Sequence, residues 1–301
     1  MQKTKKIVLL VLAVLLALQV VVGSASAEAI YVKPGNSIQT AVDNAHPGDT
    51  IIVEPGTYAG DIGISTANLT IMSSSPHKAI INTENNAFCI YESNVSVKDF
   101  DIRGPGKSAG TCFSFSRSEC TNGAFSCTAQ SNNISNFSIG ADVGFYMYSG
   151  NEYILDNDIS NCGTGISAFD LMFETLNING NKITNCDNGL YLVDAPCNIT
   201  NNHFNNTVNV NTPDGTDCVF NITKAIGKNI IGGTCIGGNY WATPSGNGFS
   251  QTHCDSNGDG FADEPYKLEG CENSVDYLPL IYCNNTSADS FSAFPNQKKL
   301  H

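Results

Sequence analysis

The chain has 301 residues, with 28 acidic side chains against 15 basic ones, a formal net charge of −13 and a pI near 4.6. An acidic surplus of that size argues against nucleic acid and anionic membranes as partners, because both carry the same sign of charge. Hydrophobic residues make up 41% and charged residues only 14%, with 35 asparagines in their place. That composition excludes a disordered chain and describes a folded core under a carboxamide-rich surface.

The chain opens on an address. Lys3, Lys5 and Lys6 precede an apolar run from Ile7 to Val22, broken by Gln19, and Ala25-Ser26-Ala27 follows as a small-residue cleavage site. Residues 1–27 therefore read as a secretory signal, with a mature chain from Glu28. An uncleaved anchor is the alternative, although the run is short of the about 20 apolar residues that a span needs. Residues 28–236 then read as one repetitive domain with an N-terminal cap, 237–283 as a C-terminal block and 284–301 as a polar tail.

Ser37 to Ala45 has helical spacing, with Ile38, Ala41 and Val42 on one face, and His46-Pro47-Gly48-Asp49 stops it. Thr50 to Val53 is predicted as the first strand and Glu54 to Tyr58 as a turn. The middle of the chain repeats. Ile154, Asn157, Ile159, Asn161 and Cys162 recur as Ile178, Asn181, Ile183, Asn185 and Cys186. Ile199, Asn202, Phe204 and Asn206 carry the pattern on, at a slightly shorter offset. An earlier copy is Asn132 to Asn136 followed by Gly144-Phe145.

A period of roughly 20 to 25 residues, built of short, alternating, β-branched stretches, specifies a solenoid. A leucine framework is absent, which excludes leucine-rich repeats. The architecture predicted is all-β, a right-handed parallel β-helix in which each strand pairs with its equivalent in the next turn. Asn157, Asn181 and Asn202 fit its corners, since asparagine tolerates left-handed backbone and can bond the same residue one turn on. The N-terminal helix covers one open end of the core. Gly237-Gly238-Asn239-Tyr240-Trp241 offers aromatic bulk to plug the other.

All 12 cysteines lie beyond the signal, and an even count in an exported chain reads as a disulfide set. Equivalent residues in adjacent turns stand about 4.8 Å apart, inside the Cα window of a disulfide. Cys162–Cys186 and Cys89–Cys112 are expected as inter-turn bridges, Cys120–Cys127 as a small loop and Cys254–Cys271 as a staple of the C-terminal block. Nine Asn-x-Ser/Thr sites permit glycosylation, at Asn68, Asn94, Asn133, Asn136, Asn198, Asn205, Asn221, Asn284 and Asn285.

The opening "IYVKPGNSIQTAVDNAHPGDTIIVEPGTY", the Asn/Gly/Ile turns and "GGNYW…DSNGDGFADEPY…DYLPL" resemble exported right-handed parallel β-helix proteins of the NosD-like, carbohydrate-binding and sugar-hydrolase class, archaeal cell-surface versions among them. The resemblance covers about Ile30 to Tyr282. It implies the fold more than the activity, because that class spans binders, lyases, epimerases, maturation factors and surface proteins.

Four features could carry chemistry. Asp255, Asn257, Asp259 and Asp263 place oxygens at positions 1, 3, 5 and 9 of a loop, with Gly260 at 6 and the Phe261 carbonyl between. That resembles the first part of a calcium loop, although position 12 holds Tyr266 instead of glutamate. A calcium there would be structural. Asp158, Lys182 and His203 occupy equivalent outward positions in three successive turns and could serve as catalytic acid–base groups. A surface ladder of mixed charge is the alternative reading. Asp156, Asp170 and Asp187 are further candidate carboxylates for a hydrolase. Tyr146, Tyr148 and Tyr191 suit stacking on a neutral glycan. Copper is poorly provided for, because soft sites need free Cys, Met or clustered His, and the histidines are dispersed. The expected function is a non-catalytic glycan-binding or envelope-structural role at the cell surface or outside the cell, with a polysaccharide or envelope glycan as partner. A calcium-dependent polysaccharide lyase or hydrolase is the alternative.

Overall fold

The computed structural model describes residues 26–115, 126–144, 150–171, 174–213, 216, 218–268 and 274–282. Among them, short parallel strands stack into three sheets, of eight, eight and seven strands, that wrap one core. The first sheet runs from Ala29–Val32 to Cys197–Thr200, the second from Gly56–Ala59 to Tyr240–Ala242 and the third from Ile62–Ile64 to Val208–Asn211. The result is a right-handed parallel β-helix of about seven turns, the hand that parallel crossovers adopt.

Each strand is short and alternates. In Thr50–Val53, Ile51 and Val53 point inward while Ile52 is half-exposed. Register then converts alternation into columns. Ile51, Ile71, Val97, Ala129, Ile154, Ile178 and Ile199 stack one above another and are fully buried. On the second sheet Ile81, Ile102, Ile134, Ile159 and Ile183 continue into Phe204 and Trp241. Burying each such aliphatic chain contributes roughly 1.5–3 kcal/mol. No turn could keep those residues dry alone.

A polar column runs inside the coil. The Oδ1 of Asn157 accepts both the backbone N–H and the Nδ2 of Asn132, at 2.9 and 3.1 Å. Asn181 does the same for Asn157, Asn202 for Asn181 and Asn239 for Asn202. Each amide also donates to a backbone carbonyl, such as Asn157 Nδ2 to Ala129 O at 2.9 Å. The bonding one turn on is therefore as the repeat predicts. The left-handed residue is a different one: Ser131, Asp156, Gly180 and Asn201, each just before its ladder asparagine, carry the positive φ.

Four sequence expectations shift. Glu54 to Tyr58 is not all turn, since Gly56–Ala59 is a strand of the second sheet. Ala29–Val32 precedes Thr50–Val53 and pairs with it, so Thr50–Val53 is the second strand of its sheet. The early copy of the Gly-apolar pair is Gly140-Ala141, not Gly144-Phe145, because Ala141 lies opposite Ile166. A Cβ at Gly140 would stand 2.5 Å from Gly165 O, and one at Gly165 would stand 2.6 Å from Gly189 O, which fixes glycine at these positions. Cys89 faces Ser114 and not Cys112, and Cys112 is buried while Cys89 is half-buried. Register therefore does not align that pair.

Both ends are closed as expected. The helix Ile38–Asp43 is capped by Ser37, whose side chain accepts from Thr40 N, and it buries Ile38 and Val42. At the other end Trp241 lies on Phe204, rings 4.8 Å apart and 13° from parallel, with Phe220 and Tyr266 tilted against it.

Candidate functional site

The second sheet brings the expected polar row into register. Asp101, Asn133, Asp158, Lys182, His203 and Tyr240 are consecutive partners on its outer face. Lys182 Nζ meets Asp158 Oδ2 at 3.0 Å, and each side chain is about half exposed (52% and 43%). A pair so wet contributes little stability. An open groove of about 400 Å³ runs along the row, lined by Asn133, Ser135, Asp158, Ser160, Lys182 and Thr184.

His203 differs from its neighbours. Its ring lies on Tyr240, centroids 4.8 Å apart, and its buried Nδ1 finds no hydrogen-bond partner among the described residues. Burial lowers its pKa below the ordinary histidine value, so the imidazole is neutral at pH 7 and able to take a proton. Burial, reinforced by Tyr282, pushes the Tyr240 phenol up and keeps it protonated. Base, ammonium and carboxylate thus stand in one line with strand spacing of about 4.8 Å. Asp156, Asp170 and Asp187 do not assemble. Asp156 sits between first- and second-sheet strands, Asp187 between second and third, and Asp170 after the third-sheet strand Thr164–Phe169. Lys107 pairs with Asp187 at 2.8 Å.

Tyr191 lies on the outer face of the third sheet, between Ser167 and Asn211 in register, with its ring 5.6 Å from Phe169. Tyr146 and Tyr148 lie outside the described residues. From Tyr191 the row leads through Asn211 into a cleft of about 830 Å³ that local sequence reading did not foresee. One wall is the strand Val208–Asn211 with its flanks, and the other is Thr243, Asn247, Phe249, Tyr266 and Leu268. Phe249 and Tyr266 are half-buried, with rings 4.8 Å apart. None of the 14 lining residues is charged. The surface offers carboxamides, hydroxyls and ring faces, a set that suits an uncharged polyol. Residues 207–213, 241–249 and 266–268 are separated along the chain, so no motif announces them.

The aspartate loop closes on its own backbone. Asp255 accepts N–H bonds from Gly258, Asp259 and Gly260, Asn257 accepts from Asp259, and Asp263 takes both the N–H and the hydroxyl of Ser256. Lys224 Nζ lies 3.0 Å from Asp259 Oδ2, and Phe261 is buried. No set of three or more His, Cys, Asp or Glu side chains among the described residues is grouped to hold a metal.

Cys162 and Cys186 come together, each following a residue of the paired Ser160 and Thr184. Each thiol donates to the carbonyl two residues back, Cys162 Sγ to Ser160 O at 3.4 Å and Cys186 Sγ to Thr184 O at 3.5 Å, and the interaction between the two thiols raises the Cys162 pKa and lowers that of Cys186. Cys120 and Cys271 lie outside the described residues, so their expected pairings with Cys127 and Cys254 do too.

A family model described as "Periplasmic copper-binding protein (NosD)" matches residues 42–246. No curated protein matches the chain. Among solved structures, a PL6 family alginate lyase is 11% identical, with a TM-score of 0.35 and coverage of 61% of this chain and 33% of that one. A rhamnogalacturonan lyase is 15% identical, with a TM-score of 0.29 and coverage of 64% and 62%. An alginate lyase from Paenibacillus sp. str. FPU-7 is 12% identical, with a TM-score of 0.24 and coverage of 64% and 97%. The chain thus spans about a third of the first lyase's length. The copper named by the family description does not fit the described residues. His46 and His253 are exposed at opposite ends of the coil, His203 lies against Tyr240, and Cys162 and Cys186 are buried with no third donor grouped with them among the described residues. A soft cation needs such donors converging on one point.

Proposed function

The chain belongs to the NosD family, and on that premise we propose that it is an exported β-helix protein that binds a neutral glycan without cleaving it, at the cell surface or outside the cell. The observation that carries this reading is the uncharged cleft of about 830 Å³ at the C-terminal end, with Tyr266, Phe249 and Asn247 on one wall and Asn211 on the other. Sugars present hydroxyl edges to carboxamides and C–H faces to rings, and this cleft supplies both. The net charge of −13 supports a neutral ligand over a polyuronate. No helix among the described residues is long and apolar enough to cross a membrane. A passive envelope-structural role shares the fold and lacks the ligand.

Affinity electrophoresis against neutral and acidic polysaccharides tests the reading. Neutral polymers are expected to retard the chain, and Tyr266→Ala is expected to weaken retention roughly tenfold, in line with the about 1.4 kcal/mol that a stacked ring supplies. Retention by acidic polymers alone, or retention untouched by Tyr266→Ala, overturns it.

The second reading is a calcium-dependent lyase or hydrolase. The neutral His203, in register with Lys182 just beyond the groove that Asp158 and Lys182 line, supports it. Mass spectrometry of the same polymers separates the two, since an enzyme leaves new chain ends and His203→Ala abolishes them. Calcium is proposed for the loop at Asp255, Asn257, Asp259, Phe261 and Asp263, as a tie for the C-terminal block. EDTA is then expected to lower the melting temperature. An unchanged melt means that Lys224 and the loop's own hydrogen bonds suffice.

A further inference from the structure

Between Val208–Asn211 and Tyr240–Ala242 the regular coil ends, and the chain takes a longer path. Part of that path imitates another strand of the first sheet. Val219 forms a parallel bridge with Asn198, donating to Cys197 O at 2.8 Å and accepting from Ile199 N at 2.8 Å. That register sets Cys218 opposite Cys197. Both sulfurs turn to one acceptor, with Cys197 Sγ 3.0 Å and Cys218 Sγ 3.7 Å from Ala195 O. Parallel neighbours lie about 4.8 Å apart, within the roughly 4.4–6.8 Å that a disulfide bridges. The separation of Cys197 from Cys218 along the chain equals the shorter repeat offset, that from Ile178 to Ile199.

We propose that Cys197 and Cys218 form a disulfide that staples the path after the last full turn to the first sheet. The bridge forms after export, in a compartment that supplies a disulfide donor. The half-buried Cys218 is the entry point, since Cys197 is 3% exposed. Its thiolate attacks the donor disulfide and expels one donor thiol. The Cys197 thiolate then attacks Cys218 Sγ and expels the second, so two protons and two electrons leave the pair and reduce the donor to two thiols. Burial, with Cys218 alongside, pushes the Cys197 thiol up, which makes this second step the slow one. The staple has a structural purpose. Phe220, two residues on, is buried with its ring 5.9 Å from Trp241, so holding Cys218 also holds one face of the terminal aromatic plug.

The test uses the full chain incubated with oxidised glutathione, then blocked with N-ethylmaleimide and cut at Lys, Arg and Asp. Asp214 and Asp217 lie between the two cysteines, and Lys224 follows them, so the digest separates Cys197 from Cys218 unless they are joined. The expected product is the Cys197 and Cys218 peptides linked, two hydrogens lighter than their sum. Reduction is expected to lower the melting temperature by about 5–10 °C, with a smaller loss in Cys218→Ser, which folds without the bridge. Recovery of both peptides singly blocked, or linked to other cysteines, overturns the proposal. The peptide map reads the pairing whether or not a glycan binds.

Discussion

At the N-terminal end the core is covered by Ile38 and Val42 of a short helix, and Asp49 pins the entering chain by accepting N–H bonds from Glu28 and His46, both at 2.8 Å. At the C-terminal end the cover is a stack of rings, Phe204, Trp241, Tyr266 and Phe249, and Asp276 lies beneath it, accepting from Asn239 N and Trp241 Nε1, both at 2.8 Å. Each end spends one carboxylate on orphaned donors. The backbone N–H bonds, from Glu28 first, hold Asp49 below the usual carboxylate value. Asp276 is fully buried, and burial raises it to about 6 against its three N–H bonds. The same residue type is thus stabilised as an anion at one end and penalised at the other: the N–H bonds outweigh burial at Asp49, which keeps 4% of its surface exposed, and burial outweighs them at Asp276, which keeps none.

The largest effect should come from the aromatic end. Trp241→Ala is expected to cost about 3–5 kcal/mol, against about 2–3 for Ile38→Ala at the aliphatic end, measured by urea unfolding. Equal losses would mean that the two covers do the same work. The middle tests what lies between. Asn181→Ala leaves the Asn157 N–H and Nδ2 without their shared acceptor inside the coil and should cost about 2–4 kcal/mol. A loss below about 1 kcal/mol, the net value of one ordinary hydrogen bond, would show that the ladder merely fills space.

The pH dependence should split by end. The folded state raises the Asp276 pKa to about 6 from 3.8, so between those values it holds a proton that the unfolded chain releases. That contribution is full below about pH 4 and is lost as pH rises through 6, an amount on the order of 3 kcal/mol. Asp49 has the opposite sign: its contribution is full above pH 4 and is lost as pH falls from there through its lowered value. Guanidinium melts across pH 3–8 should show Asp276→Asn flattening the neutral limb and Asp49→Asn the acid limb. If either variant flattens the other limb, the assignment fails. Cleavage after Ala27 would also turn the Glu28 nitrogen into an ammonium 2.8 Å from Asp49, deepening the acid limb of the mature chain.

The repeat made much of this legible. The near-constant spacing of Ile154, Ile178 and Ile199 set their register, and with it the asparagine ladder and the polar row at Asp158, Lys182 and His203. Where the repeat is irregular, reading failed. Cys89 and Cys112 are spaced like one turn of the coil, yet they miss each other because the strand Thr111–Phe115 pairs two residues out of that alignment.

The sequence by itself determined the coil, its capped ends and the rows on its faces, because a parallel solenoid repeats in space what it repeats in the chain. Only the tertiary structure decided the neutral state of His203, the raised carboxyl of Asp276, the meeting of Cys197 with Cys218 and the uncharged cleft. Those depend on which surfaces the non-repeating C-terminal block covers, and burial and distance between separated segments are not written in any local pattern.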